Sequence, residues 1–178
     1  MNVYPYRKTG TIQDKDDADS KRIRLFWKFM DGDRRYYPYF YDISLRAIRQ
    51  VLWITKSAGT FEIAVVPRSN PDATNLIVQI CAQTASKEKF ILGRALDGTD
   101  LLRRTDKILP VHRGGLHSET EHEKTLELTR KPRSGTVILA DDLVFTGKTI
   151  AACKTLLRQA GVKRVYAVCL YGYKRRED

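Results

Sequence analysis

The chain carries the segment Val137-Ile-Leu-Ala-Asp-Asp-Leu-Val-Phe-Thr-Gly-Lys-Thr149, in which an apolar run ends in two carboxylates. The apolar run predicts a buried strand over residues 136–142. Helical spacing of apolar side chains predicts a helix over residues 149–160, and a second apolar run predicts a strand over residues 164–171. A strand, a crossover helix and a strand in this order pair in parallel, so the segment indicates an α/β fold.

The loop between this strand and this helix has the features of an anion site. A helix N-terminus that follows a parallel strand exposes unpaired N–H groups and the positive end of the helix dipole. Asp141 and Asp142 would repel a phosphate, but they suit sugar hydroxyls or a divalent cation held by the same ligand. The loop adds two hydroxyl donors, a glycine that permits close approach and a cation, namely Thr146, Thr149, Gly147 and Lys148.

The segment also allows other interpretations. Gly147-Lys148-Thr149 resembles the end of the phosphate-binding loop of nucleotide hydrolases, but that motif requires glycine where Asp142 stands. A receiver-type acidic pocket would use an early strand, whereas this pair lies late in the chain. A strand-to-helix turn with incidental acids stays open as an alternative.

Further α/β elements precede this unit. The apolar run over residues 61–66 predicts a central strand that is buried on both faces. A helix is predicted over residues 76–84, with Asp72 or Thr74 as its cap. Residues 90–96 predict another strand.

Two longer segments complete the pattern. Ser44 is predicted to cap a helix that runs to about Lys56. Residues 97–134 are polar and contain glycines, with a short helix predicted over residues 118–129. An insertion of this length in a compact domain is usually a functional loop.

Composition excludes some classes and leaves others. The chain of 178 residues has a net charge of +11 and 42% hydrophobic residues, which is too apolar for wholesale disorder. The excess charge indicates anionic partners such as phosphate esters or nucleic acid. Residues 1–20 are polar and predict a disordered tail.

The excess charge lies in two regions that flank a neutral one: residues 21–60 carry +6 and residues 101–178 carry +7. Within the first region, residues 21–41 interleave basic and aromatic side chains, a pattern that can stack bases and bind phosphates of a nucleic acid. The alternative is an amphipathic helix with its aromatic side chains packed inward, followed by a turn at residues 31–33. The sequence therefore predicts residues 21–41 as the place where a nucleic-acid or protein partner would bind.

The sequence favours neither a metal site nor a membrane-spanning segment. His112, His117 and His122 are spaced by five, which fits neither a helix face nor common zinc-ligand spacings. No apolar run approaches the roughly 20 residues that cross a bilayer. Three widely spaced cysteines and an N-terminus without the apolar stretch of a signal peptide predict a reduced, cytoplasmic protein with no membrane partner.

Residues 137–149 resemble the 5-phosphoribosyl-1-pyrophosphate (PRPP) motif of the type I phosphoribosyltransferases. That motif is four apolar residues, two acids, two apolar residues and a Thr-Thr-Gly-x-Thr-like loop. Ala64-Val-Val-Pro-Arg-Ser-Asn-Pro71 is similar to the family's first-strand loop, which holds pyrophosphate. Residues 161–171 are similar to the strand that follows the PRPP motif.

Within this family the chain looks most like the ComF-like, competence-associated branch. Lys28-Phe-Met-Asp-Gly-Asp33 resembles the entry segment of that branch, and Asp100-Leu-Leu-Arg-Arg104 resembles the segment before its mobile loop. The chain lacks the branch's four-cysteine zinc ribbon and its Arg-Gly-Phe-Asn-Gln run, and Phe145 stands where a hydroxyl residue is usual.

The resemblance implies a fold and a division of the chain. The expected fold is a central parallel sheet of about five strands flanked by helices, with a small N-terminal hood. A phosphoribosyltransferase-like domain would cover residues 21–178, with the hood over about 21–58 and the core over about 59–178. Family members commonly form dimers, so the resemblance also allows a homodimer.

The resemblance also implies an activity. Displacement at the anomeric carbon of PRPP by a nitrogen acceptor, a nucleobase-like compound, would release pyrophosphate. Mg²⁺ would be chelated by the pyrophosphate and the ribose hydroxyls, with no residue assigned as its ligand. Asp141 and Asp142 would bind the ribose hydroxyls as the catalytic pair. The remaining substrate-binding residues would be Phe145, Thr146, Gly147, Lys148 and Thr149 for the 5′-phosphate and Arg68, Ser69 and Asn70 for the pyrophosphate.

By the same resemblance, residues 97–118 would form a lid over the pyrophosphate. This segment includes Arg103, Arg104, Lys107 and Arg113. The alternative function is a PRPP- or nucleotide-sensing protein with weak or no turnover, which binds nucleic acid or a protein partner through its basic N-terminal segment.

Overall fold

The computed structural model describes residues 3–5, 8–9, 18–30, 32–55, 59–72, 75–92, 94–109, 118–144 and 146–173. The strands are β1 (Val3–Pro5), β2 (Lys8–Thr9), β3 (Phe61–Val65), β4 (Ala95–Gly98), β5 (Leu102–Arg104), β6 (Leu126–Leu128), β7 (Thr136–Val144) and β8 (Arg164–Tyr173). The α-helices are α1 (Ala18–Met30), α2 (Tyr37–Ile54), α3 (Leu76–Leu92), α4 (Glu119–Lys124) and α5 (Lys148–Gln159). A short 3₁₀-helix covers Arg34–Tyr36.

A parallel sheet organises the molecule. Its strand order is β1-β8-β7-β3-β4, and β2 also pairs with β8, so that β1 and β2 both lie along the β8 edge. All of these pairings are parallel. Helices precede or follow the central strands, which confirms the predicted α/β class. The carboxyl ends of β3 and β7 are neighbours at one edge of the sheet, where ligands bind in open α/β folds.

The core has one apolar cluster on each face of the sheet. Ile63 and Val65 of β3 pack with side chains of α1, α2 and α3. Ala64 of the same strand packs in a second cluster with side chains of α5, β5 and β6. Successive residues of a strand point to opposite faces, so this alternation buries β3 on both sides, as the apolar run predicts.

The aromatic residues of the basic segment pack mainly inward. Phe26, Phe29 and Phe40 are at most 1% exposed and belong to the first cluster. Gly32 follows α1 with a φ of 104°, a left-handed turn that favours glycine, while Asp31 lies outside the described residues. The structure therefore supports the amphipathic-helix alternative for this stretch, with the exposed aromatic side chains Trp27 and Tyr39 as exceptions.

The second helix begins earlier than the sequence predicts. Pro38 lies in the first turn of α2, a position that proline favours, so the helix starts at Tyr37. Ser44 is therefore an interior residue and not a cap, and its hydroxyl donates to the carbonyl oxygen of Phe40 over 2.8 Å. The predicted end near Lys56 lies outside the described residues, and α2 ends at Ile54.

The predictions for α3 and the strand after it also need correction. No glycine or proline interrupts the sequence from Leu76 to Leu92, so the helix continues through residues 90–92, where the sequence predicts a strand. The strand β4 begins only at Ala95. The cap is Asn75 rather than Asp72, because the Asn75 side chain accepts from the Ile77 N–H over 3.1 Å. Thr74 lies outside the described residues.

The N-terminal tail is not wholly outside the fold. Residues 3–5 and 8–9 extend the sheet through parallel pairing with β8, and α1 begins at Ala18. Where these residues are described, the prediction of a disordered tail is wrong, since backbone pairing to a sheet edge requires few apolar side chains. The division into hood and core stays a prediction.

The polar segment after β4 contains more regular structure than predicted. β5 and β6 form an antiparallel pair, and the helix α4 covers Glu119–Lys124 rather than residues 118–129. Ser118 and Glu121 form a reciprocal capping box at its start. Within the described residues, no helix is long and apolar enough to span a membrane.

Candidate functional site

A cavity of about 150 Å³ opens at the carboxyl ends of β3 and β7. Asp141 and Asp142 of β7 line it together with Arg68 and Ser69 of the loop after β3, and Thr149 of α5. Residues that lie far apart in the sequence are thus brought to one edge of the sheet. The other lining residues are Trp27, Val65, Val66, Pro67, Asn75, Ile77, Arg104, Ile108, Leu109, His122 and Leu143.

The two carboxylates lie inside the last part of a long strand. β7 continues to Val144, so the predicted end at residue 142 is wrong by two residues. The Asp142 N–H donates to the Asp141 carboxylate over 2.9 Å, and the Leu143 N–H donates to the Asp142 carboxylate over 2.7 Å. These backbone contacts fix one oxygen of each carboxylate.

Burial raises the pKa of Asp141 well above its ordinary value. The charge of the neighbouring Asp142 acts in the same direction as the second cause. A buried acid beside another acid is costly to ionise, and a cation or a set of hydroxyl donors in the cavity would reduce that cost. The pair therefore suits a ligand that brings hydroxyl groups or a metal ion.

The anion site predicted at the loop before α5 stays a prediction, and the structure gives the geometry of the described part of this loop. Gly147 has a φ of 74° and occupies the position before the first helical residue, where a left-handed conformation favours glycine. The Thr146 hydroxyl accepts from the Lys148 N–H over 3.4 Å, and both side chains are exposed. Thr149 lines the cavity. Phe145 lies outside the described residues.

The loop after β3 is only partly in the cavity. Arg68 and Ser69 line it, whereas the Asn70 side chain accepts from the Asp72 N–H over 3.3 Å and is not among the lining residues. The cavity thus brings together five of the predicted site residues, namely Asp141, Asp142, Arg68, Ser69 and Thr149. Thr146, Gly147, Lys148 and Asn70 are not lining residues.

Arg104 is a cavity residue whose burial the sequence did not indicate. Its side chain is 3% exposed, and its Nε donates to the carbonyl oxygen of Arg68 over 2.8 Å. No ion pair of Arg104 with a carboxylate occurs among the described residues, and burial lowers the pKa of its guanidinium. A buried cation without an acidic partner is costly, so an anion in the cavity would stabilise this arrangement.

His122 is a second lining residue that sequence reasoning did not place at this site. It is 2% exposed on α4, and its Nε2 lies 3.4 Å from the Thr149 hydroxyl oxygen. Within the described part of the chain, no group of three or more His, Cys, Asp or Glu side chains could hold a metal ion. His112 and His117 lie outside the described residues. The rejection of a histidine zinc site stays a prediction.

The fold and the cavity define the class of protein: an α/β protein with a cavity at the carboxyl ends of parallel strands, lined by an acidic pair, by the loop after β3 and by the first turn of α5. A family model described as the phosphoribosyl transferase domain matches residues 109–178, less than half of the chain, which include β7, α5 and β8. This match covers the acidic pair and the loop before α5.

A solved structure of a purine phosphoribosyltransferase from Pyrococcus horikoshii is similar to this chain. The similarity covers 78% of this chain and 84% of that chain, with 16% sequence identity and a TM-score of 0.38. A search of curated proteins gives no match.

Proposed function

We propose that this protein binds PRPP with Mg²⁺ and transfers its phosphoribosyl group to a nitrogen of a nucleobase-like acceptor, with release of pyrophosphate. One observation carries the proposal: a carboxylate pair lines one cavity together with Thr149 of α5 and with Arg68 and Ser69 of the loop after β3. A sugar that bears anionic groups at two positions matches such an arrangement, because hydroxyls suit the acids and phosphates suit the flanking loops. The phosphoribosyl transferase domain match over residues 109–178 supports the same activity.

The donor set of the cavity fits Mg²⁺. This ion prefers oxygen ligands and is usually held by one or two carboxylates together with substrate phosphates. Asp141 and Asp142 supply carboxylate oxygens in the cavity, and they would hold the ion together with the substrate. When bound, the ion would neutralise charge on the departing pyrophosphate.

The chain's own residues would act by position and charge. The bond from the anomeric carbon to a pyrophosphate oxygen breaks, a bond from that carbon to the acceptor nitrogen forms, and the acceptor loses a proton. Positive charge develops on the ribose ring, next to the acids that bind its hydroxyls. Arg104 and Arg68 would stabilise the negative charge that gathers on the pyrophosphate, and the loop before α5 would hold the 5′-phosphate.

The apolar part of the cavity offers a place for the acceptor. Trp27 of α1, Ile77 and Leu143 are among its lining residues, and Trp27 is 40% exposed. A flat indole beside apolar side chains suits a planar aromatic acceptor, and base–aromatic stacking contributes roughly 1–3 kcal/mol. That surface supports the nucleobase-like acceptor that the family resemblance implies.

Replacing Trp27 by Ala is expected to raise the KM for the acceptor by about tenfold, because a stacking contact is lost. Trp27→Phe keeps a flat ring and is expected to stay within about threefold of the wild type. Trp53→Ala is the matched control, since Trp53 is 81% exposed and does not line the cavity. Equal KM values for the Trp27→Ala and Trp53→Ala proteins would remove Trp27 from the acceptor site.

The proposed activity is tested by pyrophosphate release from PRPP and Mg²⁺ with a panel of purine and pyrimidine bases. We expect sustained release with at least one base and none without Mg²⁺. Binding of PRPP without release for any base, together with salt-sensitive binding of single-stranded DNA or RNA, would instead support the sensing alternative. Absence of PRPP binding would contradict the proposed activity and a PRPP-sensing function.

A further inference from the structure

Thr125 does not line the cavity, but its hydroxyl forms hydrogen bonds with two residues that do, Arg104 and His122. The hydroxyl accepts a hydrogen bond from Nη1 of Arg104. It also lies 3.1 Å from the carbonyl oxygen of His122, to which it donates. Thr125 is not among the residues that line the cavity.

Thr125 restrains the buried guanidinium of Arg104. Among the described residues, the Arg104 guanidinium donates two hydrogen bonds, one to the carbonyl oxygen of Arg68 and one to the hydroxyl oxygen of Thr125. Because the side chain is buried and has no acidic partner there, these two contacts set its direction. The backbone supports the same connection, since the Thr105 N–H donates to the Thr125 carbonyl oxygen over 2.9 Å.

Thr125 also closes the helix that presents His122. It is the residue after the last turn of α4, and its N–H donates to the carbonyl oxygen of His122 over 3.2 Å. The His122 ring reaches Thr149 in the first turn of α5, with 3.4 Å between Nε2 and the hydroxyl oxygen. When Nε2 carries the proton and donates to Thr149, the Thr149 hydroxyl keeps its own proton for an anion in the cavity.

We propose that Thr125 is a positioning residue, which holds Arg104 against the loop after β3 and, through His122, orients Thr149 at the loop before α5. A hydrogen-bonded connection thus runs from the Arg68 carbonyl through Arg104, Thr125 and His122 to Thr149. It joins the two loops that contribute Arg68 and Thr149 to the cavity of the carboxylate pair. This inference rests on the proposed function, since it assigns pyrophosphate to the first loop and the 5′-phosphate to the second.

The test compares Thr125→Val, which removes the hydroxyl at nearly constant volume, with Thr125→Ser, which keeps it. Dissociation constants for Mg²⁺-pyrophosphate and for ribose 5-phosphate are measured by calorimetric titration into the millimolar range. We expect Thr125→Val to weaken pyrophosphate binding by about tenfold and ribose 5-phosphate binding by about threefold. Thr125→Ser is expected to stay within about twofold of the wild type for both ligands. Thr125→Ala provides a second hydroxyl-free variant if the valine protein does not fold.

A double-mutant cycle with Arg104→Met separates positioning from a general loss of structure. In the Arg104→Met background, Thr125→Val is expected to change pyrophosphate affinity by less than about twofold, while its effect on ribose 5-phosphate persists. An effect on pyrophosphate of the same size in both backgrounds would overturn the inference. So would wild-type affinities in the Thr125→Val protein. A wild-type protein that binds neither PRPP nor pyrophosphate would contradict the proposed function as well.

Discussion

Replacing Asp142 by Asn is expected to lower PRPP-dependent pyrophosphate release by at least about 100-fold, with the fold retained. An amide keeps the shape of the side chain and can still accept from the Leu143 N–H, but it loses the negative charge next to the ribose ring. The loss should appear in kcat and in kcat/KM, since the charge acts on the transition state. Asp141→Asn is expected to have an effect of similar size.

The Asp141→Asn variant has a second expected result, which does not depend on substrate. The pKa of Asp141 is higher in the folded protein than in the unfolded chain, where it is about 3.9. Ionisation of Asp141 therefore opposes folding, and this penalty grows as the pH rises from about 3.9 through the folded-state pKa. Asn carries no such penalty. The variant should therefore be more stable than the wild type at about pH 7.5 and show no such gain at about pH 3, measured by urea unfolding without divalent cations.

Asp42→Asn serves as the matched control for both measurements. Asp42 is an exposed carboxylate on α2 that pairs with Arg46 over 2.8 Å, outside the cavity. Its loss should change stability by less than about 0.5 kcal/mol and leave turnover unaltered. Undiminished turnover in both Asp141→Asn and Asp142→Asn would contradict the catalytic assignment, whatever their stabilities.

Gly98→Ala is expected to reduce the free energy of unfolding by about 3 kcal/mol, because the new methyl group would collide with a buried ion-pair network. A Cβ at Gly98 would lie 2.5 Å from Cγ of Glu62 and 3.0 Å from the carbonyl oxygen of Ile63. Glu62 is fully buried in β3 and pairs with Arg130 over 2.8 Å and with Arg133 over 3.3 Å. Displacement of the Glu62 carboxylate would weaken both pairs.

Gly135→Ala is the control for this substitution. A Cβ at Gly135 would meet no atom within 4 Å, and its φ lies outside the left-handed range. The expected change in unfolding free energy is within about 0.5 kcal/mol of the wild type. Chemical denaturation of the two variants measures the difference, and equal stabilities would show that the space beside Gly98 can adjust.

Sequence patterns predicted the parts of the structure that depend on local periodicity. The apolar run before Asp141, the helix after Gly147 and the parallel pairing of β7 with β8 follow from hydrophobic period and chain order. The common site of Arg68 and Asp141 was expected from the family resemblance rather than from periodicity, and the structure lines one cavity with both residues. Element boundaries were less accurate, as at Ser44, where an earlier proline starts the helix.

The parts that could not be predicted depend on contacts distant in sequence. Arg103 and Arg104 are adjacent and chemically identical, yet Arg103 pairs with exposed Glu127 while Arg104 is buried at the cavity. Strand alternation implies that they point in opposite directions, but not which one faces inward. His122 likewise reaches Thr149 only because α4 packs on α5.

A crystal structure with PRPP and Mg²⁺ tests the central claim most directly. We expect the ribose hydroxyls next to Asp141 and Asp142, the 5′-phosphate at the loop that ends in Thr149, and the pyrophosphate beside Arg68 and Arg104. PRPP bound elsewhere on the molecule, or in this cavity with its ribose turned away from the two carboxylates, would contradict the account.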